Sequence, residues 1–498
     1  MRIPIPDRFP TKPVIVFTAF VFLAQQVEGT DLTFSVLTSA YLLIFAFAFN
    51  AGGGLLYPSG AWIFFNGVST AILGLLAKVF VGEPGHTHLI NPTKTMFCYC
   101  MGMLMVGFSA ALARRLGPRT AMLGTLAGGE TMKRAAVGCL LVGAIVQAIS
   151  YTDFSSSGSF LSAIRQVNQL PRMAIILAVT HEITQSKGKR STNWVVWAAG
   201  SFMFLYGAIN FSKEGMFVPL ITWLVPALAL RFDFSKKQVI GVAFVIYFMA
   251  HYLVPFSQYG RRSRDENGSQ LNQLVAAIGY FQHLDQTRQS FLETAAEEDY
   301  DDSPHFFDSP MGLFDREQML AYDDNLIAYT DQGHIFGLAP ALDGYANVVP
   351  RAIWKNKPYF AYGNDYGREI GVIDADDVST GIAFSPLADA YHEAVWFGVF
   401  IVLPFVTFAY FFVTNSVTGS ARTSPWALLA IAMSTHIAPE GLLQGTIYLT
   451  TYGIVAILLI ATLCRWVLPL VSSLILGGDR SRLRRRQGFG SKAAIPIK

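Results

Sequence analysis

Twelve apolar runs recur along this 498-residue chain, at approximately 13–27, 32–50, 60–82, 94–113, 135–150, 171–184, 194–211, 215–231, 238–256, 386–414, 425–442 and 445–468. No other feature restricts the fold as strongly. About twenty consecutive apolar residues match the thickness of a bilayer, and lipid cannot satisfy backbone polar groups, so such runs have to be helical. The expected fold class is an all-α polytopic membrane protein with about twelve transmembrane helices. The run at 135–150 is short, and 171–184 carries Arg172, His181 and Glu182, so a half-span or re-entrant segment is the alternative there.

Charge becomes informative once it is divided by these runs. The whole chain carries a net charge of only +3. Residues 257–385, the long gap between the ninth and tenth runs, hold 21 acids and 9 bases, a balance of −12. The remaining 369 residues hold 13 acids and 28 bases, a balance of +15. The gap has the charge density of a soluble domain, whereas the rest does not, which excludes a single soluble globule. Four regions are expected: spans one to nine over 1–256, an external, mainly helical domain over 257–385, spans ten to twelve over 386–470, and a basic tail over 471–498.

Lys and Arg accumulate on the cytoplasmic side of membrane proteins. With the N-terminus inside, Arg114, Arg115, Arg119, Lys133 and Arg134, then Lys187, Lys189 and Arg190, then Arg231, Lys236 and Lys237, all fall inside. Arg422 and the tail from Arg480 onward do so too. Both termini are therefore expected in the cytoplasm, and no cleavable signal peptide is evident. The tail reads as a topology determinant beside anionic lipid, and no nucleic-acid partner is expected. All four cysteines, Cys98, Cys100, Cys139 and Cys464, fall in spans, so the insert has no disulfide staple. No nucleotide, zinc-protease or repeat motif is present; no metal or other cofactor is expected.

Within the insert, apolar residues at near-helical spacing predict an amphipathic helix over 270–298 and a second over 312–330. Such helices lie on a membrane surface or cap a cavity beside it. The acids at 297–302 read as a solvated turn rather than a Ca²⁺ loop, because they lack the required Gly-centred spacing. External bases are more informative, since they oppose the positive-inside bias. Arg261, Arg262 and Arg264 follow the ninth run, Lys213 sits in a short external turn, and Arg165 and Arg172 flank the sixth. Arg351, Lys355 and Lys357 cluster around Trp354. Arginine binds phosphate oxygens bidentately and stays charged, which suits a diphosphate at a membrane surface; headgroup contact or pairing with nearby carboxylates is the alternative. His436 and Glu440 near the outer end of the eleventh run are a further candidate, and Glu182 is expected to snorkel or to pair with His181.

The stretch Pro350-Arg351-Ala-Ile-Trp354-Lys-Asn-Lys357-Pro358, followed by Gly363, Gly367 and Gly371, is similar to a pattern in O-antigen and oligosaccharide-repeat-unit polymerases of the Wzy type. Ser385-Pro-Leu-Ala-Asp389-Ala-Tyr391-His392-Glu393, then Phe397-Gly398, resembles the point where that family's chain re-enters the membrane. Asn210-Phe-Ser-Lys213-Glu-Gly215 resembles its short basic external turn. The resemblance covers the topology and roughly 60 residues near 345–400.

That resemblance implies transfer of a glycan from polyprenyl diphosphate to the sugar end of another lipid-linked repeat unit, outside the bacterial inner membrane. It also implies work alongside a flippase and a chain-length regulator. The leaving diphosphate needs positive charge and the acceptor hydroxyl needs a base. Arg351 and Arg262 are assigned to diphosphate, helped by Lys213 and Arg172, with Arg261, Arg264 and Lys357 as further binding candidates. His392 or Glu393 is the base, Asp389 being left open beside them, and Trp354 and Tyr359 are candidates to stack on sugar faces. The alternatives are an O-antigen ligase, a transferase using polyprenyl-phosphate sugars, and a transporter or flippase of lipid-linked glycans. The second would place a paired-acid motif in the first external loop, where Glu28 and Asp31 stand at the wrong interval.

Overall fold

Starts and stops written into the sequence frame the apolar runs. Proline occupies the first turn of the helices Pro58–Gly67, Pro92–Leu116, Pro386–Phe397 and Pro425–Glu440, where its missing N–H costs nothing. Asp31, Asn193, Ser212 and Ser385 each accept a backbone N–H of the helix that follows. A computed structural model of the chain describes all residues except 4, 127–128, 151–167, 263–269, 298–303, 310, 312, 347–348, 350–352, 355–356, 358–360, 379 and 476–498. The regular structure among the described residues is all helical, with no strand beyond two isolated bridges, Arg2–Asp233 and Phe384–Gly441.

Seven helices among the described residues are long and apolar enough to cross a membrane: Leu32–Leu56, Pro58–Val81, Pro92–Leu116, Gly129–Ile149, Lys236–Arg261, Pro386–Thr418 and Leu442–Trp466. Thr11–Val27 and Trp194–Ile209 are apolar but shorter. The other expected runs lie on Leu170–Ser186, Lys213–Ala229 and Pro425–Glu440, of 17, 17 and 16 residues. Every predicted run thus falls on a helix, while seven meet the length and composition of a span. The expected weak run at 135–150 is part of a 22-residue helix, Gly129–Ser150. Large apolar side chains face outward, as lipid contact requires; Ile240, Phe244 and Tyr247 stand 58–68% exposed. Four π-helical turns, at Val68–Ile72, Met249–Leu253, Gly398–Val402 and Leu449–Gly453, lie inside four of these spans.

The insert differs from expectation in two places. The helix expected over 270–298 is two, Gln270–Gln282 and Leu284–Glu297, separated at His283. The helix expected over 312–330 is Leu313–Arg316 and Leu320–Asp331, and the second does not lie flat with its polar face in water. Its Asp323 and Asp324 are fully buried. Asp324 accepts from the backbone of Ile90, from Asn91 N at 3.1 Å and from Thr95 Oγ1 at 2.6 Å, where Pro92–Leu116 begins. Asp323 accepts from Ser385 N at 3.0 Å and from Tyr99 Oη at 2.5 Å. Leu320–Asp331 therefore ties the starts of two spans together. The run of acids at 298–302 lies outside the described residues.

Candidate functional site

The span Pro386–Thr418 is discontinuous. Ser385 caps it, its Oγ accepting from Ala388 N at 3.2 Å, and the helix breaks at Ala394 (φ −156°, ψ 29°) and Val395 (φ 51°, ψ −132°). A β-branched residue at positive φ costs about 1–3 kcal/mol and persists only where the surroundings impose it. Two carbonyls orphaned at the break are taken by the insert: Phe336 N donates to His392 O at 3.1 Å and Gly337 N to Glu393 O at 3.0 Å. Beyond the break the chain closes on itself. A Cβ at Gly398 would overlap the Ala390 carbonyl oxygen. Gly398→Ala is expected to destabilise the fold by roughly 2 kcal/mol or more through overpacking, read as a lower thermal midpoint of the purified protein; an unchanged midpoint would mean the two halves do not need this contact.

The half-helix before the break carries Asp389, His392 and Glu393, all fully buried. Asp389 accepts from Tyr366 Oη at 2.8 Å and from Leu443 N at 2.7 Å, capping the start of Leu442–Trp466. His392 Nδ1 lies 2.9 Å from Thr330 Oγ1, whose own proton goes to Leu326 O at 2.7 Å. In the neutral ring Nδ1 is therefore the donor, and Nε2 keeps its lone pair. Glu369 Oε2 stands 3.4 Å from Nε2. Burial, with Asp365 adding repulsion, raises the Glu369 carboxyl above its ordinary range. Neither carboxyl oxygen of Glu393 has a hydrogen-bond partner among the described residues. A buried polar group left so is costly and calls for an explanation in function. The rings of Phe336, Tyr366 and His392 pack together, with centroids 5.7 Å (Phe336–His392), 5.0 Å (Phe336–Tyr366) and 4.6 Å (Tyr366–His392) apart.

A second cluster gathers at the end of Pro425–Glu440. Arg172 meets Glu214 at 2.8 Å, and Lys213 lies 3.5 Å from Glu317 and 3.9 Å from Glu440. His436 lies 3.4 Å from Glu440 and 4.0 Å from Glu214. Arg261 Nε donates to Phe211 O at 3.1 Å, on the turn that presents Lys213. Burial raises the Glu317 carboxyl, with Lys213 opposing the shift. Arg172 and Lys213, from two distant segments, thus meet Glu214, Glu317 and Glu440, and Arg261 joins them through the carbonyl of Phe211 on the turn that carries both Lys213 and Glu214. The two clusters flank one tight turn. Glu440 precedes Gly441, which bridges to Phe384, and Leu442 (φ 55°) precedes the Leu443 N–H that Asp389 accepts.

Of the residues chosen from sequence, the structure brings Arg172, Lys213 and Arg261 to one cluster and His392 and Glu393 to the other. Arg165, Arg264, Arg351, Lys355 and Tyr359, and the side chain of Arg262, lie outside the described residues. Trp354 and Lys357 stand on a separate loop, where Lys357 Nζ donates to Val349 O at 3.1 Å and approaches the Tyr452 ring. Glu182 takes Asn193 Nδ2 at 3.1 Å instead of His181, because the turn before Trp194 brings Asn193 back over it. Asp323 and Tyr366 were not chosen from sequence. The signal for Asp323 was present: Leu320, Asp323, Asp324 and Ile327 share one helical stripe, so two acids occupy core-facing positions. Comparison with protein-family models, curated proteins and solved structures returns no match.

Proposed function

We propose that this membrane protein is a glycosyltransferase that polymerises lipid-linked oligosaccharide repeat units, acting where the insert meets the spans. The observation that carries the reading is the pairing, across the Gly441–Leu442 turn, of a three-cation cluster with a buried carboxyl that has no hydrogen-bond partner among the described residues. In the reaction the acceptor hydroxyl oxygen forms a bond to the donor's anomeric carbon. The bond from that carbon to the diphosphate oxygen breaks, and its electron pair leaves with the diphosphate. Arg172 and Lys213 would stabilise that developing charge by exchanging carboxylate partners for phosphate oxygens, with Arg261 adding its charge beside them. Glu393, or His392 through Nε2, would accept the hydroxyl proton. Arg351 keeps the diphosphate role the resemblance gives it. The setting proposed is the bacterial inner membrane with both termini cytoplasmic, about twelve spans, and a flippase and chain-length regulator as partners.

One observation favours a second reading, transport of lipid-linked glycans: broken helices with buried acids at the break also line transporter pathways. Reconstitution separates the two. Vesicles holding the protein and purified lipid-linked repeat units should yield lengthened glycans without nucleotide sugar, and Arg351→Ala should abolish the lengthening at unchanged protein level. Movement of unextended units across the bilayer, with no lengthening, would overturn the polymerase in favour of transport.

A further inference from the structure

At the opposite end of the helices from the insert lies a cavity of about 410 Å³, unconnected with the proposed transfer site. One wall is the first two turns of Gly129–Ser150, which present Glu130, Lys133 and Arg134. The other is the Leu468–Ile475 helix with Ser472 and Ser473, and Trp194 stands at the mouth. The walls are held firmly: a Cβ at Gly138 would overlap the Leu468 carbonyl, and Cys139 Sγ lies 3.4 Å from Cys464 Sγ.

The polar lining is incompletely used. Glu130 engages Arg134 Nε at 3.4 Å, leaving the buried Arg134 Nη1 without a hydrogen-bond partner among the described residues. Ser472 is fully buried, and its Oγ also has no such partner. Two cations against one acid, with a guanidinium nitrogen and a hydroxyl to spare, match a phosphate group. The volume suits a headgroup rather than a bare ion. The surroundings supply the lipid: Trp194 and Trp197 are 54% and 68% exposed, and Leu470 and Leu474 are 51% and 60% exposed on the neighbouring helix. Tryptophan at a helix start beside exposed apolar side chains marks a membrane interface.

We infer that this cavity binds a phosphate ester, the headgroup of an anionic phospholipid, whose chains run along the apolar surface beside Trp194. The Lys133 and Arg134 side chains hold the phosphate, and the Ser472 hydroxyl donates to it. The full-length protein in detergent, offered phosphatidylglycerol or phosphatidylcholine of identical chains, is read by native mass spectrometry. Phosphatidylglycerol should be retained preferentially. Arg134→Gln should reduce that retention roughly tenfold, the effect of one charge-assisted bond. Ser472→Ala, which breaks no bond among the described residues, should reduce it less without changing the thermal midpoint. Equal retention of the two lipids, or retention that neither substitution changes, overturns the inference. Displacement by millimolar inorganic phosphate with no preference between lipids would assign the site to a soluble phosphate ester and overturn the lipid assignment.

Discussion

Glu393→Gln is expected to abolish chain extension while leaving the protein as abundant, and about as thermally stable, as the unchanged chain. Replacing a buried glutamate normally breaks the bonds that justify its burial and costs several kcal/mol. Glu393 is the reverse case, because neither of its oxygens is bonded among the described residues. Glutamine has nearly the same shape and breaks no hydrogen bond among the described residues, so the folded state loses little. The transfer reaction loses its proton acceptor, which a general base supplies at about 10²–10⁴ in rate. The measurements are polymer yield from reconstituted lipid-linked units and the thermal midpoint of the same preparation. Loss of both together would make Glu393 a structural residue. Full activity in the variant would move the base to His392, whose Nε2 is the other buried acceptor at the break.

The contrast between Glu393 and its surroundings shows what was legible in the sequence. The apolar helices were, because length and apolarity act locally: each expected run lies on a helix, and seven helices among the described residues are long and apolar enough to cross a membrane. The start of Pro386–Thr418 was legible too, since Ser385-Pro386 is a cap followed by a first-turn proline. The break eight residues later was not. Ala394-Val395-Trp396-Phe397 contains no proline or glycine, and Gly337 N and Phe336 N, which replace the lost helical bonds, come from some sixty residues upstream. The cations Arg172, Lys213 and Arg261 could be chosen individually because external bases need a reason. That Arg172 meets Glu214, and Lys213 meets Glu317 and Glu440, is a tertiary fact; Glu440 was a candidate beside His436, whereas nothing local set Glu214 and Glu317 apart from ordinary external charge. Asp323 and Asp324 were not singled out from the sequence. Their helical phase points inward, but acids are so rarely buried that phase alone is a weak signal.

Asp323 gives the second large effect, a dependence of stability on pH that one substitution should reduce. Burial raises this carboxyl to about 7; the hydrogen bonds from Ser385 and Tyr99 oppose the shift, and Asp389 adds to it. Unfolding returns the group to the ordinary value of 3.8. Between these values the folded protein holds a proton that the unfolded chain releases, so stability falls as pH rises through the window. The penalty is absent below the unfolded value and complete above about 7, where it reaches about 4 kcal/mol. Asp323→Asn stays neutral at every pH. Its carbonyl can still accept from Ser385 N, while its amide donates to the Tyr99 oxygen. The thermal midpoint of the purified protein should therefore rise from pH 8 to pH 5, and Asp323→Asn should flatten that rise. The same rise in both proteins would mean that Asp323 is charged in the fold. In that case the join between Leu320–Asp331 and the two spans it ties would be ionic and not a neutral hydrogen-bonded one.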